Sequence, residues 1–252
     1  MSMSFDYETE LKLDMIEKVK PALKKGVASL RDDQKIVFHT TLSWATPWIF
    51  EGGIDPHMGC AIAHKVVLKY FDFIPARCQE CWKVVARPNN LEQLFKVSEL
   101  QHKSDRPSKA GIETRPTVPA LYGAYWYNNS IEQGLECKAY VKELLVDFDP
   151  EISVILKRGC TEFEHKFGNS TQWQVTDEWK EQEAFVNEHI EIDAFAGIRQ
   201  PGLVRRHTRL DWVRYAYKNG DQTYLKFTGG KLLYPALINY FSQEEYDALQ
   251  TR

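Results

Sequence analysis

Five cysteines, at positions 60, 78, 81, 137 and 160, stand in a chain of 252 residues. Three of them fall in the run His57-x2-Cys60-x17-Cys78-x2-Cys81. Two side chains separated by two residues reach a single ion from one turn, and a linker of this length joins the halves of many tetrahedral zinc sites. A structural zinc on His57, Cys60, Cys78 and Cys81 is therefore one expectation, with His64 able to replace His57. Two others compete with it: reduced thiols packed as small hydrophobes, and a redox or iron–sulfur Cys-x2-Cys. On a helix over 56–71, His57, Cys60 and His64 share a face with Leu68 and Phe71, which would be the core face in any case.

Cys160 suggests a different chemistry. It follows the apolar run 152–156 and Lys157-Arg158-Gly159, and opens Cys160-Thr-Glu-Phe-Glu-His165, which reads as a helix start. A helix N-terminus and nearby cations both favour the thiolate. The implied catalytic set is Cys160 as nucleophile with His165 or Glu162 in proton transfer, and with Arg115, Lys157 and Arg158 holding a phosphate. His165 lies five residues on, which on a regular helix does not face Cys160. Cys137 shares its helix face with Val141 and Leu144 and reads as core. Gly-x4-Gly-Lys-Ser/Thr, Gly-x-Gly-x2-Gly, Gly-x-Ser-x-Gly and His-Glu-x2-His are absent, so the common nucleotide-binding and hydrolase motifs do not apply.

A third constellation is basic and aromatic. Between Arg199 and Lys231 there are eight Lys and Arg against two Asp. Asn219-Gly220, between 212–218 and 222–228, is a strong hairpin signal. In that hairpin Tyr215 pairs with Tyr224 and Val213 with Lys226, and Arg205, Arg206, Arg209 and Arg214 continue the basic run. Tyrosines for stacking and cations for phosphates suit single-stranded nucleic acid. The plainer reading is a basic pair of strands neutralising the acidic segment 177–193 of the same chain, which has seven carboxylates against one Lys.

The elements that must position these residues follow from hydrophobic period and punctuation. Leu11, Met15, Val19 and Leu23 mark a helix over 8–25, kinked or divided at Pro21. A strand follows over 35–44, and Asp55-Pro56 opens the helix 56–71. Next come a strand over 83–86, a helix over 91–101 capped by Asn89 or Asn90, and a long loop over 103–121. The aromatic run Tyr122 to Tyr127 would line a pocket with Glu113 and Arg115 from that loop. The capping box at Ser130 starts a helix to Leu145, the run 152–156 suits a buried strand, and a second capping box at Ser242 starts a C-terminal helix.

The fold class implied is mixed α/β: a central short-stranded sheet with some parallel pairing, flanking helices and a C-terminal β-hairpin. Residues 1–195 form the core, with a possible metal segment at 55–85, and 196–252 pack on it within one domain. A net charge of -3, from 32 Lys and Arg against 35 Asp and Glu, gives no global reason to expect a polyanionic partner. The N-terminus lacks the apolar stretch of a signal or spanning segment, so a cytoplasmic protein without a membrane partner is expected. Three functions fit: a metal-stabilised accessory protein that binds single-stranded nucleic acid, or a machine acting on it, through the basic hairpin; an enzyme using the Cys160 thiolate on a phosphorylated or nucleotide substrate; and an assembly or inhibitor protein without chemistry.

Overall fold

The computed structural model describes residues 7–39, 46–52, 60–193 and 200–234, and the single positions Glu244 and Ala248. His57 and the capping box at Ser242 lie outside them. Helix α1, Tyr7–Lys24, runs through Pro21 instead of dividing there. Strands β1, Ala28–Leu30, β2, Ile36–His39, and β3, Trp48–Glu51, follow. Residues 60–62 are helical and widen into a π turn, Ala63–Val67, before α2, Leu68–Tyr70. Single π turns within helices often coincide with functional sites, and His64 sits in this one. A short helix α3, Ala76–Gln79, carries Cys78.

The central unit is β4, Trp82–Arg87; α4, Leu91–His102; β5, Ser108–Ile112; β6, Tyr122–Asn128; α5, Ile131–Val146; and β7, Ser153–Arg158. Both helices start where the sequence places them. The Asn90 side chain accepts from the Gln93 N–H at 2.9 Å and Ser130 Oγ from the Gln133 N–H at 3.2 Å, each satisfying a donor the helix leaves open. With β3 added, the sheet order is β3-β5-β6-β4-β7 and every pair is antiparallel. Strand-helix-strand, twice, with the strands of each half separated by another strand, is the split βαβ arrangement.

Three expectations change here. The 103–121 segment is not one loop, because Ser108–Ile112 pairs on both sides between prolines that punctuate its flanks. The aromatic run 122–127 is the central strand, from which the Tyr125 hydroxyl still meets Glu113 and Arg115. And β7 is an edge strand, with Ile155 exposed.

Beyond the sheet come α6, Thr161–Phe167, α7, Asp177–His189, β8, Ile190–Asp193, and α8, Gly202–Lys218. Among the described residues, parallel pairing occurs only in the second sheet, β1-β2-β8, where β8 lies parallel to β2. That sheet closes a separate core with α1, α7 and the π turn, around Val19, Phe38, Phe73 and Val186.

The C-terminal hairpin does not form: residues 202–218 are helical and Gln222–Phe227 is a 3-10 turn. Val204, Thr208, Trp212 and Ala216, buried at four-residue steps, set a helical period that overrides the alternation read in 212–218. Gly220, at φ +77°, ends the helix instead of turning a hairpin. Its N–H reaches the Tyr217 carbonyl at 3.1 Å and the Asp221 N–H reaches Ala216 at 2.9 Å, the paired bonds of a Schellman cap. Both motifs need a positive φ at this glycine, which is why the dipeptide alone was ambiguous. Trp212 and Tyr224 join the core beneath α4 and α5. Among the described residues, no helix is long and apolar enough to cross a membrane.

Candidate thiolate site

Side chains alternate along the strands, so the five-stranded sheet has two unlike faces. Val84, Ala86, Ala110, Tyr122, Ala124, Trp126 and Leu156 face the helices and form the main core. The registers place Lys83, Val85, Lys109, Tyr125, Tyr127 and Lys157 on the other face.

Cys160 meets that second face. Lys83, buried on β4, donates from Nζ to Cys160 Sγ at 3.1 Å. His64, from the π turn, stands beside the sulfur: the ligand atoms of His64, Cys160 and Glu162 all lie within 4.8 Å of one another. Burial alone would push the Cys160 thiol up, but Lys83 and His64 outweigh it and hold the group down at about 6. The sulfur is therefore mostly thiolate at neutral pH. Its chain position is fixed by Gly159, at φ +62°, where a Cβ would collide with the Trp173 ring at 2.4 Å. The Gly159 N–H bonds the Cys81 carbonyl at 2.8 Å.

A carboxylate network lies behind the sulfur. Glu113 is buried, yet it ionises below the usual range: its desolvation is outweighed by Arg115, which bonds it through Nε at 2.7 Å, and by the Tyr125 hydroxyl at 3.1 Å. Arg115 then reaches Glu162 at 2.8 Å. Burial opposes ionisation of Glu162 too, but its own backbone N–H and Arg115 hold it at about 2. Arg115 thus aims Glu162 at His64 and Cys160, instead of standing free for a phosphate. Lys157 pairs with Glu164. Arg158 bonds the Gln79 carbonyl at 2.7 Å and the Ser170 carbonyl at 2.9 Å, tying the Cys78–Cys81 turn to the strand that leads into Cys160.

The other thiols stand around this centre. Cys78 shares a small core with Cys160 and Phe163. Burial raises Cys60, Cys78 and Cys81, Cys81 to about 12, and the Cys160 charge adds to each shift. Among the described residues, the donor atoms of Cys60, Cys78 and Cys81 do not join a group of three within 4.8 Å; His64, Cys160 and Glu162 do. Cys137 is core.

Of the remaining sequence candidates, His165 follows Cys160 on α6 and is not among the groups that set its ionisation, a role His64 takes. Arg205 pairs with the buried Glu51, Arg214 with Asp211, and Lys226 with Glu92. Tyr224 is buried, and Tyr215 donates to the Glu113 carbonyl at 2.8 Å. Arg206 and Arg209 are exposed on α8. Sequence reading thus found Cys160 and Glu162 but missed Lys83, which looked like one more strand residue. The available signal was a lysine beside the apolar stretch Val84-Val85-Ala86 of the strand Trp82–Arg87. No protein-family model, no curated protein and no solved structure matches this chain.

Proposed function

We propose that the chain is a thiol-dependent enzyme in which Cys160 attacks an electrophilic carbonyl carbon and forms a covalent intermediate. One observation carries this reading: the contact of 3.1 Å between the Lys83 ammonium and Cys160 Sγ, enclosed with His64 and Glu162. An ammonium fixed against a sulfur stabilises the thiolate, the nucleophilic form. When the S–C bond forms, the negative charge leaves the sulfur and reappears on the carbonyl oxygen two bonds away, still within reach of Lys83. His64 is placed to give its proton to the departing group and, in the second half of the reaction, to take one from water. Glu162, held by Arg115, orients His64. Glu113 and Arg115 touch neither sulfur nor imidazole and are positioning residues.

The test is the pH dependence of iodoacetamide alkylation, with Cys160 read by peptide mass spectrometry. Half-maximal reactivity near pH 6 supports the thiolate, and a midpoint at ~8.5, that of an ordinary thiol, removes it. A second reading, a divalent metal on His64, Cys160 and Glu162 with the three other thiols nearby, rests on the clustering of those donor atoms. Lys83 weighs against it, since an ammonium so close to the ligand sulfur opposes a second cation. Elemental analysis of protein purified without chelators separates the two: about one zinc per chain, lost in Cys160→Ser, favours the metal.

A further inference from the structure

On the same sheet face, Lys83, Lys157 and Arg115 each meet an anionic partner. Lys109 does not. Among the described residues, its Nζ has neither a hydrogen bond nor an ion pair, and it rests instead on two rings, 4.4 Å from the Trp48 centroid and 5.3 Å from that of Tyr125. The rings meet edge to face at 5.5 Å. They lie against the paired glycines Gly111 and Gly123, where a Cβ would come within 2.7 Å of Trp48 and 2.9 Å of Tyr125. Glycine here is a packing requirement: it leaves room for two large rings to meet at nearly a right angle beside the ammonium.

Ring faces offset only part of the cost of removing a cation from water. Burial and the Lys83 charge accordingly hold Lys109 down at about 8, while the Cys160 charge draws it up. Lys109 therefore lies within electrostatic range of the sulfur yet lacks a counter-ion of its own. The register gives the spacing: Lys109 pairs with Tyr125, and Tyr127, two residues along, pairs with Lys83. Two strand widths and a two-residue offset along the strands, about 12 Å in all, separate the two lysine backbones.

We propose that Lys109 is the anion-binding residue of the Cys160 site, so that the substrate carries a carboxylate or phosphate that docks on this ammonium above Trp48 and Tyr125 and presents its carbonyl carbon to the sulfur. The inference rests on the thiolate reading of Cys160. It narrows the substrate class to anionic acyl compounds.

The experiment compares alkylation of Cys160 by N-iodoacetylglycine, and by its β-alanine homologue, with alkylation by their neutral carboxamides. The proteins are wild type, Lys109→Met and Lys109→Arg. The expected result is a preference of about tenfold for a carboxylate probe in wild type, the size of a charge-assisted hydrogen bond. Lys109→Met should lose it and Lys109→Arg should keep it, the preference being read as the ratio of carboxylate to neutral probe within each protein, so that a change in the thiolate itself cancels. Inorganic phosphate should slow the carboxylate probe in wild type but not in Lys109→Met. An equal preference in wild type and Lys109→Met overturns the subsite while leaving the thiolate intact. If no probe labels Cys160, the thiolate reading fails, and the subsite is then judged by whether phosphate protects Lys109 from reductive methylation: protection upholds it and its absence overturns it.

Discussion

The two faces of the five-stranded sheet come from the same strands yet do opposite things. Toward α4, α5 and α8 the sheet presents Val84, Ala86, Ala124, Trp126 and Leu156, and the helices bury them fully enough that Trp126 and Trp212 are almost without exposed surface. Toward the π turn and α6 it presents Lys83, Lys109, Lys157, Tyr125 and Tyr127. One face stabilises the domain by removing apolar area from water. The other gathers cations that would be costly on their own; a thiolate and carboxylates compensate Lys83 and Lys157, and Lys109 rests on aromatic rings. Core packing and the candidate site are thus divided between alternate residues of single strands: Val84 packs in the core while Lys83 touches the sulfur.

Substitutions on each face should break or sharpen that division. Trp126→Ala, on the helix face, should have the largest effect, a loss of about 3–5 kcal/mol in urea unfolding from lost burial and the cavity left behind. A loss under about 1 kcal/mol would mean that this face does not hold the domain together. Glu113→Gln comes next. It takes the carboxylate from beneath Arg115, which is only partly exposed, and should cost about 1–3 kcal/mol. It should also slow iodoacetamide labelling of Cys160, because Arg115, which anchors Glu162, loses its own support; unchanged labelling would restrict Glu113 to a structural role.

Lys83→Met sharpens the contrast further. Burying a methionine in place of an ammonium should change stability by no more than ~1 kcal/mol, since the thiol can take up its proton. The labelling midpoint of Cys160 should nevertheless move up from about 6 by roughly 1–2 pH units. The sign follows from the charges: without the ammonium the thiolate loses its main support, burial dominates, and reactivity appears only at higher pH. A midpoint that stays put would assign the low value to His64 instead. The smallest effect belongs to the edge. Ile155→Lys, at an exposed position on β7, should leave thermal stability within ~0.5 kcal/mol of wild type, and a larger loss would show that something covers this part of the open face.

Legibility in the sequence followed the range of the interactions. Asn90 and Ser130 announced their helices because a cap is satisfied within three residues. Cys160 stood out for a similar reason, as a cysteine between a strand and a helix. The histidine did not, because proximity in sequence favoured His165 while the structure brings up His64. Lys83 lies 77 positions from Cys160, and nothing local marks it as the residue that decides the state of the sulfur. The segment 212–228 was misread for the complementary reason: a short alternating run next to Asn-Gly fits a strand locally, and only the docking of Trp212 and Ala216 into the main core selects the helix.

The sequence by itself determined the mixed α/β class and the starts of the capped helices, and it singled out the cysteine on which the proposed chemistry centres, because each depends on period, capping or neighbouring residues. The tertiary structure alone decided the split βαβ order of the strands, the helix in place of a hairpin, and the meeting of Lys83, His64, Glu162 and Cys160. These depend on which surfaces bury one another, and residues far apart in the chain acquire an energy of interaction only once the chain has closed around them.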